Sequence, residues 1–115
     1  MSKQAFPVLT LTRTLSGTVS ANRFVTPAGA QAGADANTLG VTRSAGVSGD
    51  VVPVDALGTA MVEAGAAVSA GASIKSDASG RAITWASSGA KVGIALDAAT
   101  ASGQIIEVFL IPNVA

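Results

Sequence analysis

The sequence predicts an all-β domain, mainly antiparallel, built as a small barrel or sandwich of short strands with Gly/Ala-rich loops. Three observations lead there. Short apolar runs recur along the chain, several alternating with the period of two that turns successive strand side chains to opposite faces. Turn signals rich in Gly, Ser and Asp separate them at short intervals. No stretch holds apolar residues at helical spacing long enough for a convincing helix.

The first run, residues 8–15, sets Leu9, Leu11 and Leu15 against Thr10, Thr12 and Thr14, the pattern of a half-buried strand closed by Gly17. A short extended piece at residues 23–26 stops at Pro27, and residues 27–37 form a small-residue loop, mobile or packed on a partner. Residues 38–42 read as a strand and 44–49 as a turn. Residues 50–54 read as an edge or bulged strand, because Pro53 has no N–H to give to a ladder. Residues 57–64 are read as a further strand, since Gly58 and Gly65 each weaken a helix by about 1 kcal/mol relative to Ala. Residues 72–85 carry a hairpin whose Asp77-Ala78-Ser79-Gly80 turn puts glycine where a positive φ is needed. Residues 91–96 and 104–111 form two apolar strands joined by a loop, and the second, apolar on both faces, is expected to be central or covered by another subunit.

The 115 residues fit one domain, organised as a flexible N-terminal arm at 1–7 and a single β domain at 8–115. Apolar residues make up 49% of the chain, but many are alanine, with three Phe and one Trp. Burying a large aliphatic side chain contributes about 1.5–3 kcal/mol, whereas ordering a residue costs about 1.5 kcal/mol. A core this thin leaves little stability to a monomer and predicts support from an oligomer or a host surface. Seven Lys and Arg balance seven Asp and Glu and are scattered singly, so no basic stripe points to nucleic acid. The absence of Cys excludes a disulfide framework and suits synthesis in a reducing cytoplasm. The opening residues are too polar for a signal-peptide core or a membrane span.

The missing residue types decide most of the chemistry. Without His, Cys or Tyr, the usual general bases, thiol nucleophiles and nitrogen ligands are lacking, and no enzyme is predicted. Ser48 lies in Gly46-Val47-Ser48-Gly49, which lacks the nucleophile-elbow spacing and any histidine partner. Asp50 and Asp55 could in principle pair as acid and base, but beside a turn and a Pro-containing strand both are read as solvated acids. Asp35-Ala36-Asn37 lacks the glycine and distal glutamate of a calcium loop, and Asp77 is a turn residue, so no metal is expected. The glycines match no phosphate-cradling pattern, and no cofactor is expected. Trp85 is read as a core or interface anchor in preference to a sugar platform.

From Leu39 to Ile111 the pieces come in a particular order: a Leu39-Gly40-Val41 strand, Gly49-Asp50, Gly58 through Glu63-Ala64-Gly65, Ala67 through Gly71, Ser76 through Gly80, Val92 through Leu96, and a closing apolar strand. That order resembles the capsid decoration, or cement, proteins of tailed phages over about two thirds of the chain. The Ala/Gly segment at 27–37 is longer than that pattern leads one to expect. The resemblance implies a β-barrel-like structural virion protein, made in the host bacterial cytoplasm, that adds to the capsid exterior where capsomers meet and stabilises the mature head. It implies the major capsid protein as partner and self-association, with a trimer favoured over a dimer, and no role for nucleic acid or membrane. Lys3, Phe6, Pro7, Trp85 and Phe109 are the candidate capsid or oligomer contacts, and residues 2–7 are expected to order on the capsid. Two other classes stay open. A carbohydrate- or receptor-binding module would need aromatics and polar groups gathered in a groove, and a carboxylate hydrolase would need two acids brought together. A phage tail or spike component is a nearer alternative, told apart by where the protein sits on the particle.

Overall fold

The computed structural model describes residues 5–112, and no helix occurs among them. The strands are β1 (Pro7–Thr14), β2 (Phe24–Val25), β3 (Gly40–Thr42), β4 (Val51–Glu63), β5 (Ser73–Ser76), β6 (Ala82–Thr84), β7 (Gly93–Ala95) and β8 (Ile105–Leu110). They form one antiparallel sheet in the order β2-β3-β4-β8-β7-β5-β6, with β1 on β4. The sheet curls until its ends nearly meet: the Phe24 N–H of β2 donates to the Gly80 carbonyl in the β5–β6 turn (2.8 Å). The fold is therefore all-β, as the sequence predicted, and of the two expected architectures it is the small barrel, nearly closed.

The spine is β4, where the sequence suggested two strands. Its 13 residues run through the gap expected at 55–56. The first half pairs with β1 and β3, and the second half pairs with β8. Pro53 does not mark an edge, because it faces Thr12 of β1 and also accepts from the Arg43 N–H (3.3 Å). The N–H that proline lacks would face β3 just where that strand ends after Thr42, so little pairing is lost. The bulge lies further on. The β1–β4 register shifts between Pro7 and Leu9 and again between Leu9 and Thr10, opposite Asp55 to Gly58. Gly58 has φ +94, and a Cβ there would collide with the Phe6 carbonyl oxygen, so glycine lets β1 begin directly against the bend.

Two apolar clusters sit on opposite faces of the short strands. Phe24 and Val41 belong to the larger, and Val25, next to Phe24, belongs to the smaller with Leu15, Val19, Val52 and Val54. Seven of the sixteen buried residues in the larger cluster are alanines, so the core is as thin as the composition indicated. The leucine face of β1 is less buried than its alternation predicts. Leu9 is 40% exposed and Leu11 half-buried, and only Leu15 is in the core. They line an open groove with Leu39, Leu57 and Pro112, because β1 pairs with β4 alone.

The 27–37 loop packs on its own chain. Ala32 is buried and its N–H donates to the Phe24 carbonyl (2.9 Å), while Asp35 forms a 2.7 Å ion pair with Lys75 of β5. The 72–85 hairpin forms as read, with Gly80 at φ +75 and the Asp77 carboxylate accepting from the Ser79 (2.8 Å) and Arg81 (2.9 Å) N–H groups. Strand β8 is central, between β4 and β7.

Candidate functional site

The outward face of the β7–β8–β4 wall carries the feature that core packing does not explain. Residues directly opposite in an antiparallel sheet share a face, so pairing alone defines rows across it. One row joins Ser73, Ile94, Phe109 and Thr59 through the Ser73–Ile94, Ile94–Phe109 and Phe109–Thr59 pairs. Its ends are Trp85, whose N–H donates to the Ser73 carbonyl (2.8 Å), and Phe6. The Phe6 N–H donates to Thr59 Oγ1 (2.7 Å), and the Phe6 carbonyl accepts from the Thr59 N–H (3.2 Å). At about 4.8 Å per strand, six positions span roughly 24 Å. Phe6 is 62%, Ile94 38% and Phe109 46% exposed.

The neighbouring row is Leu96, Glu107 and Met61, set by the Leu96 N–H to Glu107 carbonyl bond (2.9 Å) and the Met61–Glu107 pair. Leu96 is 45% exposed, whereas Glu107 is only 8% exposed. The Glu107 N–H donates to Asp97 Oδ2 (3.1 Å), which pins the loop after β7 against β8. These rows leave an apolar outer surface whose core-facing counterpart is formed by Ile74, Ala95, Ile106, Val108 and Leu110.

The sequence-selected contacts fall unevenly on this surface. Phe6 and Phe109 lie in one row on either side of Thr59, and Pro7, paired with Gly58, begins β1 beside them. Trp85 ends the row but is no free platform: its Nε1–H donates to the Gly89 carbonyl (2.9 Å) and Lys91 Nζ lies 4.3 Å from the ring centroid. Lys3 lies outside the described residues. Sequence reading missed Ile94, Leu96, Met61 and Glu107. The alternation in Gly93-Ile94-Ala95-Leu96 was the available signal, since it places Ile94 and Leu96 together on the face opposite the two small residues.

The charged groups hold the fold together. Asp55 is buried, not the solvated acid its position suggested, and takes a 2.8 Å bond from Arg43 Nε and a 3.0 Å bond from Thr10 Oγ1. That carboxylate holds the Arg43 guanidinium above its ordinary pKa, first by hydrogen bonding and then by its charge. Asp50 caps its own turn, its Oδ2 accepting from the Val47 N–H (2.9 Å). Five residues of extended strand, roughly 16 Å, separate Asp50 from Asp55, so they form no acid/base pair. Glu63 joins Arg23 (3.3 Å) and Arg81 (3.6 Å) at the seam where the barrel closes, and Arg81 also reaches Asp77 (3.3 Å). Ser48 is an exposed turn residue. Among the described residues no three of His, Cys, Asp and Glu gather as a metal site.

The profile of the family described as phage cement protein matches residues 3–110. The chain belongs to the phage cement protein family. It is thereby a structural protein of the phage head, and its association is with the capsid. Among solved structures, the N base of head fiber gp8.5 in bacteriophage phi29 is similar, with a TM-score of 0.73 and 20% identity over 90% of this chain and 93% of that one. At that identity the likeness concerns the fold. No curated protein matches.

Proposed function

We propose that this cement-family protein binds the outer surface of the capsid where capsomers meet and stabilises the mature head. The observation that carries the reading is the apolar outer face of β7, β8 and β4, a rigid sheet surface with Ile94, Leu96 and Phe109 exposed together. Exposed apolar residues gathered on one ordered face mark a binding surface, whereas single ones do not. A protein that binds only the assembled lattice adds its binding free energy to the shell and none to free subunits. Many copies multiply a modest contact. The major capsid protein is the partner, and the exterior of the virion, reached from the host bacterial cytoplasm, is the place of action. The groove formed by Leu9, Leu11, Leu39 and Leu57 supports self-association, and the family resemblance favours a trimer.

Cosedimentation of the purified protein with expanded and unexpanded shells of the same phage tests this, with its solution mass measured alongside. Saturable binding to expanded shells, with a higher shell melting temperature, is the expected result. Absence of binding to either shell at concentrations above those in an infected cell removes the reading and brings a tail component or a glycan binder forward.

A further inference from the structure

We infer that Glu107 is the polar centre of the capsid-docking face and receives a basic side chain, Lys or Arg, from the capsid protein. The inference rests on the docking role proposed above and names the chemistry of its partner. Glu107 points to the outer side of β8, since its cross-strand neighbours are Met61 and Leu96 and the residues two positions away, Ile105 and Phe109, are more exposed than Glu107 itself. As a residue it is nevertheless more than nine-tenths buried, with its carboxylate oxygens keeping the remaining access to solvent. A carboxylate in that setting normally has a cation or a set of hydrogen-bond donors. Among the described residues Glu107 has neither: its backbone is bonded, but no side-chain ion pair or hydrogen bond involves its carboxylate.

The rest of the charge pattern sharpens this. Every described basic side chain is engaged elsewhere: Arg23 and Arg81 on Glu63, Arg43 on Asp55, Lys75 on Asp35, Arg13 on the Pro27 carbonyl and Lys91 over Trp85. Asp97, also 8% exposed, adds a second carboxylate without a cation at the same place, where it accepts the Glu107 N–H. The docking face thus combines an apolar rim with uncompensated negative charge at its centre. That arrangement suits a partner whose apolar surface surrounds one projecting cation, because the rim excludes water and strengthens the pair.

The test compares wild type with Glu107→Gln, which keeps shape and removes charge, and with Glu107→Lys. For each, affinity for expanded shells is measured by cosedimentation at low and high salt, and the melting temperature of the free protein is recorded. The expected result is affinity at least about 30-fold weaker for Glu107→Gln and no detectable binding for Glu107→Lys, as when one partner of a desolvated charge pair is removed or reversed. The salt dependence should be smaller in Glu107→Gln than in wild type, and its free melting temperature equal to or above that of wild type. Two results overturn the inference while leaving the docking role intact: wild-type affinity in Glu107→Gln, or a melting temperature several degrees lower, which would make Glu107 a structural acid. Failure of wild type itself to bind any shell overturns the docking role first.

Discussion

Phe24 and Phe109 are the same residue in opposite situations, and truncating each separates stability from binding. Phe24 is fully buried in the larger cluster, and its backbone closes the barrel seam at Gly80 and Ala32. Phe24→Ala should cost about 3–5 kcal/mol through lost burial and the cavity left behind. Phe109 is 46% exposed. Full burial of a Phe side chain contributes about 1.5–3 kcal/mol, so Phe109→Ala should cost only about 1 kcal/mol. The unfolding entropy is about 2.1 cal/mol/K per residue, which for 115 residues makes 1 kcal/mol worth roughly 4 °C of melting temperature. Calorimetry on the free protein should therefore show a drop of about 12–20 °C for Phe24→Ala and about 4 °C for Phe109→Ala. Shell binding should fail in the second variant while its fold persists. Equal drops in the two variants would refute the reasoning, because they would mean that the outer face is already covered in solution by another copy.

Gly40→Ala should destabilise by about 1–3 kcal/mol or more, seen in urea unfolding, because the added Cβ would collide with the Asp55 carbonyl oxygen in the neighbouring strand. Arg43→Leu should cost more stability than Asp55→Leu, since the first leaves a buried carboxylate with only Thr10 as a side-chain donor and the second removes the need for a partner; the order is checked by paired melting curves. The Lys75 hydrogen bond, outweighing desolvation, holds the Asp35 carboxyl below its ordinary 3.8. Its contribution is complete above that value and is lost as pH falls toward the folded-state pKa. The stability gap between wild type and Asp35→Asn should therefore be full at pH 6 and shrink on acidification below about pH 4.

Local chemistry was legible wherever the turn itself carried the signal. Asp77 to Gly80 announced the hairpin, because an aspartate that caps two N–H groups and a glycine at positive φ are needed at those positions. The doubly apolar β8 announced its central place. Residues 50–64 were harder, since Pro53 and Gly58 both look like breaks when the ladder around them is unknown. A strand end beside Pro53 and a bulge beside Gly58 absorb them. The burial of Asp55 depends on Arg43, twelve positions away, and on Thr10, forty-five away, a coincidence that only the folded sheet creates. The same holds for the outer row. Phe6 and Phe109 were visible as large apolar residues, but their common face with Ile94 and Leu96 follows from cross-strand register, which one sequence does not state.

The most direct measurement is a cryo-EM map of expanded shells saturated with the protein. Density is expected over the junctions between capsomers, with the face that carries Ile94, Phe109 and Glu107 turned toward the shell and a basic side chain of the capsid protein against Glu107. Density at the tail, or on the shell with that face turned to solvent, would contradict it.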